Sequence, residues 1–228
     1  MNTDELKKAV AEKAVNEYVK DGMTVGLGTG STAYYAIKRL GERVREEGLN
    51  IKCTATSVRS EELAKEFGLT VLDVNDVEYN DVTIDGADEV DPDMQLVKGL
   101  GGALLREKIV ATASASEVII VDDSKLVDVL GTRCSLPVEV LRFGHLKTKE
   151  MLERQRCEAV LRCVDGEPYI TDNGNYIYDC KFESIKNPFF LESRINVIPG
   201  VVDNGLFLNI ATTVLVSHKD GTITKMGE

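Results

Sequence analysis

Four short segments of this 228-residue chain carry residue types and spacings suited to chemistry on a small polar molecule. The first, Gly26-Leu27-Gly28-Thr29-Gly30-Ser31-Thr32, joins three glycines to three hydroxyls between a short apolar run and a helical pattern. Backbone N–H groups at a helix start, with the helix dipole behind them, favour a phosphate. The spacing is neither G-x-G-x-x-G nor a Walker loop, since no lysine follows, so dinucleotide binding is poorly supported. A plain strand–helix turn capped by Ser or Thr is the alternative. The second segment is Asp85-Gly86-Ala87-Asp88-Glu89, with Asp91 and Asp93 behind it. Its carboxylates can hold sugar hydroxyls or move protons. They can equally hold a divalent cation, or stand solvated in a turn. The third, Lys98-Gly99-Leu100-Gly101-Gly102-Ala103-Leu104-Leu105-Arg106-Glu107-Lys108, places a cation before a glycine-rich loop that enters a helix. Such a loop offers N–H donors to an oxyanion. Glu107 follows as a base or as an ordinary surface acid. In the fourth, Asp122-Asp123-Ser124-Lys125, Lys125 can meet a phosphate or remain solvated.

The elements that must position these segments alternate. Residues 3–20 have helical spacing (Leu6, Val10, Ala14, Val15), a capping box at Asn2 and Glu5, and Gly22 as a stop. Met23–Leu27 reads as a strand, and Ala33, Ala36, Ile37, Leu40 and Val44 share one face of a helix ending at Gly48. Strands are expected at 51–55, 70–72, 81–84 and 117–121, and helices at 60–67 and 104–113. This alternation implies βαβ units and a mainly parallel sheet, which gathers the four segments at its carboxyl edge. After Gly131 the character changes. Residues 136–140 look extended, 148–156 helical and 159–163 extended. Asn173-Gly174 signals a hairpin, Pro188 starts a helix, and Asp220-Gly221 joins two closing strands.

Composition narrows the function. The chain has 27 Lys and Arg against 38 Asp and Glu, a net charge of −11. That argues against nucleic-acid binding and a polybasic membrane anchor. No apolar run approaches the ~20 residues of a membrane span, and the acidic N-terminus lacks a signal core. The five cysteines form no CxxC pair, so reduced thiols and a cytoplasmic location are expected.

Taken together, Gly28-Thr29-Gly30-Ser31-Thr32-Ala33, Asp85-Gly86-Ala87-Asp88-Glu89, the Lys98 loop through Lys108, Ser124-Lys125, Leu136-Pro137-Val138-Glu139-Val140 and Thr171-Asp172-Asn173-Gly174-Asn175 resemble the type A ribose-5-phosphate isomerases, in order and over nearly the whole chain. Leu100 departs from a Lys-Gly-Gly-Gly pattern. That departure is tolerable if residue 100 keeps a negative φ. The resemblance implies an α/β fold: a Rossmann-like mainly parallel sheet with helices on both faces, plus a smaller α+β, ferredoxin-like domain. The expected division is 1–131 catalytic, 132–205 small domain, and 206–228 rejoining the catalytic domain. It implies interconversion of D-ribose 5-phosphate and D-ribulose 5-phosphate through a cis-enediolate in the pentose phosphate pathway, with no metal or cofactor, by a homodimer or homotetramer. Substrate binding falls to Thr29, Gly30, Ser31, Thr32, Asp85, Gly86, Ala87, Asp88, Lys98, Gly99, Leu100, Gly101 and Lys125. Glu107 becomes the proton acceptor, Lys98 supports the oxyanion, and Asp85 is the candidate for ring opening.

Three rivals compete. An amino-sugar phosphate deaminase would need a site histidine, and His145 and His218 lie outside the four segments. A sugar-phosphate sensor should lack the base. A metal-dependent phosphohydrolase would use the acids of 85–93.

Overall fold

The structure, a computed structural model, describes residues 1–227. In chain order, α1 (Thr3–Tyr18), β1 (Thr24–Leu27), α2 (Ser31–Glu47), β2 (Lys52–Ala55), α3 (Val58–Glu66) and β3 (Val82–Asp85) come first. Then follow β4 (Glu89–Val90), β5 (Leu96–Val97), α4 (Leu104–Thr112), β6 (Glu117–Asp122), β7 (Leu136–Val140), α5 (His145–Glu153) and β8 (Glu158–Leu161). The chain continues with β9 (Cys163–Val164), β10 (Glu167–Pro168), β11 (Tyr176–Lys181), α6 (Pro188–Asn196), β12 (Val201–Asn204), β13 (Leu206–Phe207), β14 (Thr213–Ser217) and β15 (Ile223–Gly227). It divides into two compact units, one of residues 1–87, 106–125 and 209–228, the other of 88–105 and 126–208. The division expected at 131/132 and 205/206 is therefore not the one seen; residues 88–105 cluster with the second unit.

The first unit is built on a six-stranded sheet in the order β15-β14-β6-β3-β1-β2. All its ladders are parallel except β14 with β15. Every residue of β6 is buried, as a strand covered on both faces requires. Alternate residues divide between the faces. Val25, Leu27, Val82, Ile84, Val118, Ile120 and Leu215 join a core with Val10, Ala14, Ile37 and Leu40 of α1 and α2. On the other face Gly26 is bare because Thr83 and Val110 of α4 fill the space; a Cβ there would lie 1.8 Å from the Thr83 hydroxyl oxygen. Local chemistry sets the helix ends. The Asn2 and Glu5 capping box opens α1, and Gly48 closes α2 in the left-handed region at φ 71°.

The second unit carries an antiparallel sheet in the order β12-β7-β11-β8, packed with α5 and α6. Its core includes Leu136, Val138, Val140, Leu152, Tyr178, Cys180 and Ile195. A three-stranded sheet, β13-β5-β4, belongs to the same unit. Asn187 caps α6 and Pro188 occupies its first turn, where a missing N–H costs nothing.

Two sequence expectations are corrected. Residues 70–72 form no strand, only a single bridge between Val71 and Cys53. Asn173-Gly174 makes a turn within 171–175, but residues 169–170 do not pair with β11. The two-residue hairpin is at Asp165-Gly166, between β9 and β10. Both residues there have positive φ, 52° and 84°, as a type I′ turn demands.

Candidate active site

In the first unit, β6, β3 and β1 are neighbours and run parallel. Three of the four segments therefore leave the sheet at one edge: Gly28–Thr32 after β1, Asp85–Ala87 after β3, and Asp123–Lys125 after β6. Asp85, on the middle strand, is 1% exposed. The N–H groups of Thr29 and Gly86 donate to its Oδ1 at 3.0 and 2.7 Å. Gly28 makes this approach possible, because a Cβ there would lie 2.2 Å from that same oxygen. The first loop is thus fastened to the second through a carboxylate.

The hydroxyl of Thr29 is also engaged. It meets the hydroxyls of Thr56 (2.7 Å), Ser57 (2.8 Å) and Ser60 (3.1 Å). Ser60 in turn donates to the Gly28 carbonyl at 2.7 Å. Sequence reasoning singled out none of these three partners; Ser57 also caps α3, its hydroxyl accepting from the Ser60 N–H. Thr29 thereby fixes the loop, and the outward-facing part is left to Gly30 and Ser31, both exposed, and half-buried Thr32.

Glu107 lies in the first turns of α4 and is 4% exposed. Val110, one turn on and so on the same helix face, packs against the sheet at Gly26 and Thr83. Because β3 and β6 are parallel, the helix leading back into β6 runs against the strands. Its start therefore lies at the edge that carries Asp85. Glu107 is a buried, sheet-facing carboxylate, and the surface-acid alternative does not hold.

His218 is closer to these segments than its position in the chain suggests. Ser217 pairs with Asp122 across the β14–β6 ladder, which leaves His218 Nδ1 at 3.6 Å from the Asp123 carboxylate. Its Nε2 lies 2.8 Å from the Thr224 hydroxyl. Lys125 is half-buried in a short 3₁₀ turn after Asp122, whose carboxylate accepts from the N–H of Ser124 at 3.0 Å.

The second unit holds Asp88 and the 98–102 loop. Lys98 is 2% exposed, with its Nζ 5.4 Å from the centre of the Phe207 ring. Its N–H donates to the Gly205 carbonyl. Gly99 and Gly102 take φ of 107° and 83°, so only these two loop positions demand glycine. Leu100 is not among the residues of positive φ, and its side chain is 45% exposed. The departure from the glycine pattern is therefore absorbed without strain. The Leu100 N–H donates to Asp88 Oδ2 at 2.9 Å.

Arg162, which nothing in the sequence singled out, grips this loop from behind. Its Nη1 donates to the carbonyls of Gly99 (2.9 Å) and Leu100 (3.1 Å). Its Nε and Nη2 bind the Asp179 carboxylate. Nearby, Glu139 Oε1 accepts from Thr171, Asn173 and Asn175. That single carboxylate joins the Leu136–Val140 and Thr171–Asn175 segments, explaining why both matter to the fold.

The remaining acids have structural work. Glu89, fully buried, accepts the N–H groups of Gly131, Arg133 and Cys134. Asp91 accepts those of Asp93 and Gln95, while burial pushes its carboxyl above the ordinary range. Among the described residues no group of three or more His, Cys, Asp or Glu side chains is placed to hold a metal ion.

The family described as ribose 5-phosphate isomerase A (phosphoriboisomerase A) matches residues 52–221. Ribose-5-phosphate isomerase A 1 of Oceanobacillus iheyensis is 49% identical over 222 residues, covering 97% of this chain and 98% of that protein. The solved ribose 5-phosphate isomerase from Plasmodium falciparum superposes with a TM-score of 0.96 at 41% identity, covering 99% of each chain. A D-ribose-5-phosphate isomerase solved in complex with phospho-erythronic acid gives 0.96 at 39% identity over the whole of both chains.

Proposed function

The chain belongs to the ribose 5-phosphate isomerase A family, and we propose that it interconverts D-ribose 5-phosphate and D-ribulose 5-phosphate with Glu107 as the proton carrier. The substrate is mostly a closed ring, so an acid–base step must open it; this falls to Asp85. Glu107 then takes the C2 proton from one face of the open sugar and returns it to C1 of the planar cis-enediolate. The observation that carries this reading is the burial of Glu107 at the start of a helix whose next turn packs on the sheet. A general base so placed is worth about 10²–10⁴-fold.

Negative charge grows on the O1 and O2 side as the proton leaves. Lys98 and the loop N–H groups answer it. The N–H groups of Leu100 and Gly102 are bonded within the protein, to Asp88 and to the Gly99 carbonyl. The oxyanion role therefore passes to Gly99 and Gly101. Asp88 positions hydroxyls. Gly30, Ser31, Thr32 and Lys125 hold the phosphate, whose binding keeps the open sugar in its reactive shape.

The finer assignments have separate support. A cytoplasmic location fits five free cysteines. No helix among the described residues is long and apolar enough to cross a membrane. A homodimer or homotetramer would give exposed Phe143, Leu146, Phe190 and Val197 of the second unit an apolar surface to meet.

The test is Glu107→Gln. We expect kcat to fall about 10²–10⁴-fold with KM changed far less. The wild-type enzyme, run in deuterated water, should place solvent deuterium on the transferred carbon. An unchanged kcat in Glu107→Gln overturns the assignment.

A further inference from the structure

Arg162 has no place in the chemistry of the proposed reaction, yet its side chain is only 12% exposed and its guanidinium uses both of its edges. One edge forks onto Asp179. The other donates to two consecutive carbonyls, those of Gly99 and Leu100. The ring of Tyr169 lies 6.0 Å from the guanidinium carbon. The Tyr169 hydroxyl in turn fills the space beside Gly102, where a Cβ would lie 2.3 Å from it. Burial, first of all, holds the Tyr169 phenol above its ordinary pKa, so it remains neutral there.

A trans peptide is planar, with its C=O and the next N–H pointing in opposite directions. Turning the Gly99 carbonyl toward Arg162 therefore turns the Leu100 N–H away, and that N–H does meet Asp88 on the far side. The same geometry at the next peptide turns the Gly101 N–H away from Arg162, toward the side on which Asp88 stands. A carbonyl bonded to a cation also polarises its own peptide, so the outward N–H becomes a better donor. We infer that Arg162, anchored by Asp179, is a positioning residue that fixes the two peptides of the 98–102 loop so that the Gly101 N–H is presented as an oxyanion donor. This rests on the reading of that loop as the oxyanion support.

A lysine cannot replace this fork. One ammonium is a point charge, while the guanidinium spans two carbonyls and a carboxylate in a fixed plane. Arg162→Lys keeps the charge beside Asp179 and loses the geometry. Turnover of ribose 5-phosphate and inhibition by 4-phosphoerythronate, a carboxylate that mimics the enediolate, are to be measured for Arg162→Lys, Arg162→Ala, Lys98→Ala and the Arg162→Ala/Lys98→Ala pair. Removing an oxyanion donor costs about 10²–10³ in kcat. A misaligned donor should cost less, roughly 10- to 100-fold for Arg162→Lys, with KM within about threefold. The inhibition constant should rise by a similar factor. Guanidinium at low millimolar concentration should restore part of the kcat of Arg162→Ala and do nothing for the wild type. Losses in the double variant should fall short of the product of the single ones, since both act on one loop.

Wild-type kcat and inhibition in folded Arg162→Lys overturn the inference. A kcat loss without any rise in the inhibition constant does so too. If Arg162→Ala does not fold, Arg162→Lys decides alone. If Lys98→Ala leaves both kcat and inhibition unchanged, it is the oxyanion reading of the loop that fails, and the inference fails with it. A damaged Lys98→Ala beside an intact Arg162→Lys removes Arg162 only.

Discussion

A Lys125 variant tests phosphate recognition separately from proton transfer. It is half-buried at the carboxyl edge of the sheet, after β6, two strands from the Gly28–Thr32 loop. If it meets only the phosphate, Lys125→Ala should raise KM about tenfold or more, with kcat reduced less; one lost charge-assisted bond is worth roughly 1.5–3 kcal/mol. A normal KM in steady-state assays would remove Lys125 from the phosphate site. Cys53 gives a second check, on the core beneath that edge. Burial pushes its thiol from 9.0 up to about 12. Between those values an unfolded chain has lost the proton and the folded chain keeps it, so folding weakens as pH climbs through that window. In the native protein at pH 8, iodoacetamide should label exposed Cys163 and leave Cys53 untouched until denaturant is added. Rapid labelling of Cys53 under native conditions would contradict its burial.

The elements show how a loop is made rigid enough for catalysis. Asp85 pins the β1–α2 loop with a carboxylate where a side chain at residue 28 would otherwise stand. Gly28→Ala should therefore cost about 2–3 kcal/mol in urea unfolding, as overpacking does, and lower kcat in whatever protein still folds. A stability within about 0.5 kcal/mol of wild type would show that the loop yields easily. The same elements explain what could be read from residue order. The strand–helix alternation, the capping box and the glycine stops are local, and they were legible. The hairpin was misplaced because two Asx-Gly pairs compete. Asn173-Gly174 has the stronger flanking pattern, yet Glu139 draws Thr171, Asn173 and Asn175 into a side-chain-bound turn. Asp165-Gly166 makes the ladder instead. Arg162 and His218 were illegible for a related reason. His218 gains Asp123 through the β14–β6 ladder and Arg162 gains the carbonyls of a loop far away in the chain, and a lone Arg or His carries no sign of either.

At the scale of the molecule, the acids of 85–93 are dispersed. Asp85 holds one loop, Glu89 binds the 131–134 turn, and Asp91 folds its own. A cation bridging them has no cage, so turnover should survive prolonged EDTA treatment followed by gel filtration. Loss of activity, restored by Mg²⁺, would revive the phosphohydrolase rival. The net charge of −11 makes the molecule as a whole repel a sugar phosphate, and local cations must offset that field. The order in which the sheet is assembled has a further consequence. β6 is the strand whose six residues are all buried, and its neighbour on one side is β14, supplied by the last of the three segments of its unit. During synthesis on a ribosome, the β6 edge stays bare while some ninety intervening residues, 123–212, are made. Nascent chains stalled before residue 213 should therefore depend on chaperones and clump when released, whereas full-length chains should not.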